Sequence, residues 1–160
     1  MTVGPATHSR CDRPVPSACS EALEVGEEAT KTDLMGFASG AFSQDRFRIH
    51  ATDRPRCHRP LDDCRSNVTV GKNVTTQSIS VVRVAGHEGR RLSLEIEVKG
   101  LKVAFEALLI HDAGRHVVWT VEIVLIRRFL AKMFEEGDQS FRKAVLDSVR
   151  VIEPGESSLQ

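Results

Sequence analysis

Cys57, His58 and Cys64, with Cys11 or Cys19 as a fourth donor, are the residues of this chain best suited by type to hold a metal. Thiolate and imidazole are the preferred ligands of tetrahedral zinc. Their spacing argues against it. Structural zinc sites present ligands as Cys-x2-Cys pairs on turns, whereas Cys57 and His58 are adjacent and point apart in extended chain. No metal is expected, and no other cofactor. Residues Met1–Arg10 hold no basic stretch followed by an apolar run, so reduced thiols in loops and a cytoplasmic location are expected.

Two pairs suit acid–base work by type, His87 with Glu88 and His111 with Asp112, both next to turns. Turn residues are polar for solvation alone, and no Gly-x-Ser-x-Gly elbow supplies a nucleophile. Glu95 and Glu97 share one face of an alternating strand, where ion pairing with Arg91 and Lys99 is the simpler role. Gly86 and Gly89 link two strands and open no helix, so no phosphate cradle forms. Arg127, Arg128, Lys132, Arg142, Lys143 and Arg150 make a basic cluster without aromatic residues between them, which reads as a solvated helix face. No catalytic residue is assigned, and nucleic acid is not an expected partner.

The elements that hold these residues follow from composition and period. The 160 residues suffice for one domain and a tail, and 41% apolar with 28% charged residues excludes a wholly disordered chain. Lysine plus arginine equals aspartate plus glutamate at 22 each, so no overall field selects a partner. The most apolar window, Val117–Ile126, is half the length of a membrane span, and no membrane association is expected.

All four cysteines and five of six prolines lie before position 67. That region, 1–66, reads as irregular or disordered, with a weak helical segment over Ser20–Thr30 and a short strand over Arg46–His50, of which only the strand is expected to dock. Its Arg, Pro, Cys and Ser usage also resembles a GC-rich reading frame translated out of register. Residues 67–153 form the expected α+β domain, and 154–160 a tail.

Within that domain, Leu92, Leu94, Ile96 and Val98 alternate with polar residues, the mark of an antiparallel strand with one buried face. Thr76–Ala85 precedes it across a Gly86–Gly89 turn, and Leu101–His111 and Arg115–Leu125 follow, giving a four-strand meander with Trp119 on an inward face. Phe129, Leu130, Met133 and Phe134 then fall at helical spacing. Gly137 interrupts, Asp138 caps a second helix, and both helices are expected to cover the sheet's apolar face.

Gly86–Arg91 before the amphipathic strand, Asp112–Arg115 before the Trp119 strand, and the closing Ser148-Val149-Arg150-Val151 together resemble the C-terminal half of the Mog1/PsbP-like fold. The similarity is greatest to its DcrB-like branch, a domain of unknown function also used by some secretion adaptors. The Trp-containing element and helix that usually open that fold find no match here.

The resemblance implies a non-catalytic, adaptor-like domain acting through protein–protein contact. The alternative is a helix-grip carrier or enzyme with a lipid-sized cavity, which needs one unbroken C-terminal helix of about 20 residues; Gly137 and Asp138 speak against that. Without the fold's opening elements, the Thr76–Ala85 strand is left with an unpaired edge. Val82 and Val84, with the polar set including Glu95 and Glu97, are the expected interaction residues, for a protein partner or a homodimer.

Overall fold

Period-2 alternation governs the centre of the molecule. The computed structural model describes residues 14–38, 46–64, 74–98, 101–128 and 135–152. In it β2 (Val74–Val84), β3 (His87–Val98), β4 (Leu101–Asp112) and β5 (Val117–Arg128) pair antiparallel in chain order. The expected meander is therefore present, in a mixed α+β architecture. A fifth strand, β1 (Arg46–Asp53), pairs with β5, so the sheet order is β1-β5-β4-β3-β2. The β2–β3 turn is tighter than the sequence suggests. Ala85 and Gly86 both take positive φ (48° and 88°), the requirement of a two-residue hairpin turn whose twist matches the strands. Gly89 sits inside β3.

The face carrying Leu92 and Leu94 of β3 and Val103, Phe105 and Leu109 of β4 is fully buried, and the N-terminal helix covers it. That helix, α1 (Ala18–Ala38), docks through Ala18, Cys19, Ala22 and Leu23, which recur at helical spacing as a stripe of small side chains. Gly26 extends the stripe. A Cβ there would lie 2.6 Å from the Phe105 ring, so glycine is what lets the helix approach the sheet.

These contacts correct the reading of 1–66. Ser17 caps α1 by accepting a hydrogen bond from the Cys19 amide at 3.2 Å. The buried Arg54 guanidinium donates to the Pro16 carbonyl at 2.9 Å and pairs with Glu21. The Ala18 amide donates to Pro60 O at 3.2 Å. Cys19 and Cys64 form a disulfide, and Cys57 is also disulfide-bonded, so the expected reduced thiols are not what the structure contains. The described part of 1–66 is therefore not irregular, for a physical reason: the sheet's apolar face needs a cover, and α1 with the 54–64 loop provides it. The remainder of 1–66, and the tail 154–160, lie outside the described residues.

The second face has its own cover. Leu108, Ile110, Val121, Ile123 and Leu125 cluster there with Leu146 of α2 (Glu135–Ser148). The C-terminal helix thus touches the face bearing Arg91 and Glu106, and not the Leu92–Phe105 apolar face that the helices are expected to cover. Polar residues are accommodated by pairing: the buried Glu106 carboxylate accepts from Arg91 at 2.7 Å and faces Arg142 at 2.8 Å. Trp119, expected inward with the main core, is half-buried against this second cluster. Gly137 lies inside α2 and does not divide it; the expected preceding helix over Phe129–Phe134 falls outside the described residues, as does Lys132.

Candidate binding edge and groove

A sheet ordered β1-β5-β4-β3-β2 has two edges, and their residues differ. β1 (RFRIHATD) carries Arg46, Arg48 and Asp53, charges of the kind that protect an edge against pairing with another chain, beside the exposed Phe47 and Ile49. β2 (VTTQSISVVRV) runs for 11 residues with Arg83 as its single charge and no proline or glycine. Among the described residues it pairs only with β3, leaving its outer row of backbone N–H and C=O groups open to a further strand.

The edge borders a groove of about 610 Å³. Val82 and Val84 of β2 lie at one side, half-buried against the second-face cluster; Leu108 lines the groove from the sheet, and Leu146, Val149 and Arg150 form the wall at the end of α2. Arg91 and Asp147 add charge. The Arg91 guanidinium is shared with Glu106, and Asp147 pairs with Lys143, which holds its carboxyl below the usual range. Arg150 donates to the main-chain carbonyls of Asp147 (2.8 Å) and Val149 (2.9 Å). Among the described lining residues Arg83, Arg91 and Arg150 are cationic and Asp147 is the one carboxylate, so the lining carries more positive than negative charge.

Other expected residues disperse. Glu95 and Glu97 stand on β3, one strand in from the edge; Glu97 is opposite Lys102, and Arg91 pairs with Glu106 and with neither of them. Neighbours in a strand point to opposite faces, which separates each histidine from its sequence partner. Glu88 instead stands opposite His111 across β3 and β4. Burial lowers the His111 pKa against the opposing pull of Glu88 and Asp112. Burial pushes the Asp112 carboxyl up, but hydrogen bonds from the Arg115 side chain and amide outweigh it, and the net shift is downward. With Cys57 and Cys64 in disulfides, neither offers a thiolate, and among the described residues no three His, Cys, Asp or Glu side chains converge as a metal site.

Sequence reasoning missed one polar pair. Glu122, buried beneath the α1 face, has Oε1 4.0 Å from His50 Nε2. Burial raises its pKa despite the charges of His50 and Arg48. The signal was present, a carboxylate inside the Val117–Ile126 apolar run, but its partner depends on the β1–β5 register. At 4.0 Å the two groups are within ion-pair reach but share no hydrogen bond, and the buried Thr120 stands opposite His50 across β1 and β5.

No protein-family model matches the chain, and no curated protein matches it significantly in sequence. Among the described residues no helix is long and apolar enough to cross a membrane.

Proposed function

We propose that this chain is a non-catalytic binding domain that acts by protein–protein contact along the β2 edge and the adjoining groove. The carrying observation is the juxtaposition of an 11-residue, nearly uncharged edge strand with a groove whose apolar lining includes Val82 and Val84. An added strand gains main-chain hydrogen bonds from the edge and side-chain contacts from the groove. The resemblance to the DcrB-like branch of the Mog1/PsbP-like fold supports an adaptor role. The Cys19–Cys64 bond supports maturation in an oxidising compartment and speaks against a cytoplasmic one.

A neutral ten-residue peptide alternating valine with threonine, solubilised by a terminal polyethylene glycol chain, probes the edge directly. Saturable binding to the native protein is expected, and Val82→Lys should abolish it, since a lysine there places charge in the path of the added strand. Val84→Lys should do the same. Binding that survives both substitutions, or a turnover lost on His87→Ala or His111→Ala, would replace this reading with an enzymatic one.

A further inference from the structure

The occupant of the groove can be defined further from its charge, given the strand-addition reading above. A strand laid against β2 alternates its side chains between the sheet's two faces, so every second residue points toward Val82, Val84 and the end of α2. The groove offers those residues two kinds of surface. Val82, Val84, Leu108 and Leu146 accept apolar groups, while Arg91 and Arg150 stand among the lining residues.

These two cations are placed differently. Arg91 has Glu106 as its carboxylate, but Glu106 is itself divided between Arg91 and Arg142, so one negative charge serves two guanidiniums. Arg150 has no carboxylate among its described partners: its bonds run to the main-chain carbonyls of Asp147 and Val149, which fix the guanidinium at the end of α2 without neutralising it. Among the described residues the one carboxylate lining the groove, Asp147, is engaged by Lys143. Positive charge is thus in excess beside an apolar strip, and a guanidinium recognises a carboxylate with directed, charge-assisted hydrogen bonds.

We infer that the partner is an extended protein segment with apolar and acidic side chains on its groove-facing positions, added to β2 as a sixth strand, with a carboxylate bound by Arg150 beside Arg91. A second copy of this chain pairing β2 to β2 fits less well, because it would bring two Arg83 side chains and no acidic residue to the junction.

The test uses the full chain with its disulfides intact and two ten-residue peptides, one alternating valine with glutamate and one valine with lysine, read by fluorescence anisotropy at low and high salt. The glutamate peptide should bind at least about tenfold more tightly than the lysine peptide, with the difference shrinking as salt rises. Arg150 is exposed, so Arg150→Glu should fold normally and reverse the preference. Equal binding of both peptides, or an unchanged preference in Arg150→Glu, would overturn the acidic specificity while the neutral-peptide result kept the edge. Loss of neutral-peptide binding as well would remove the edge itself. A light-scattering mass twice that of the monomer, abolished by Val82→Lys, would assign the edge to a second copy and overturn the inference.

Discussion

Replacing Cys19 and Cys64 together by serine is expected to lower the stability of the native protein by about 4 kcal/mol. Their disulfide closes a loop of 45 residues, and the entropy it removes from the unfolded chain has about that value at 25 °C. The effect should be larger than for a cross-link joining two exposed loops, because Cys19 belongs to the stripe by which α1 covers the sheet. Without the bond, α1 is held by small side chains, by the Ala18–Pro60 backbone hydrogen bond, and by the bonds of Arg54 to Pro16 and Glu21. Urea unfolding of the double variant and the parent under non-reducing conditions measures the loss. An unchanged midpoint would show that α1 needs no covalent tether to dock.

Phe105→Ala should cost about 3–5 kcal/mol, the range for deleting a fully buried aromatic side chain from a close-packed core. Phe105 is wholly inaccessible on the face that α1 covers, and the α1 residue against its ring, Gly26, has no side chain with which to fill the space. Val81→Ala serves as the control. That side chain is 73% exposed on β2, and its truncation should stay within about 0.5 kcal/mol. Equal effects of the two substitutions in denaturant titrations would contradict the assignment of the buried face.

The contrast between the two halves of the chain explains what its sequence revealed. The meander was legible because Leu92, Leu94 and Ile96 alternate with charged or hydroxyl residues, and a period of 2 over the nine residues Arg91–Lys99 has no other economical reading. The docking of α1 was not legible because its contact stripe is Ala18, Cys19, Ala22 and Gly26 with one leucine, too little apolar surface to mark the weak helical segment over Ser20–Thr30 as a core element. Alternation also says that a strand has two faces without saying which helix covers which. Arg91 and Glu106 look like a wetted face until Arg142 arrives from α2 to share the carboxylate.

The candidate site divides in the same way. Val82 and Val84 could be picked out because they lie on a strand with an expected open edge. Leu146, Val149 and Arg150, which complete the groove, come from more than sixty positions further on, and only the packing of α2 brings them there. Glu95 and Glu97 were drawn toward the edge by their alternation with Leu94 and Ile96, but the register places β3 between β2 and β4. The His50–Glu122 pair likewise exists only through the register of β1 on β5.

Residue-resolved amide hydrogen exchange on the native protein, with and without the valine–glutamate peptide, tests the central claim most directly. In the unbound protein, alternate amides of β2, those directed away from β3, should exchange much faster than the amides of β3 and β4, because only one side of the strand is paired. On adding the peptide those outward amides should become protected, while the amides of β1 keep their rates. Protection appearing along β1 in place of β2, or peptide binding that leaves the β2 amides unprotected, would contradict strand addition at this edge.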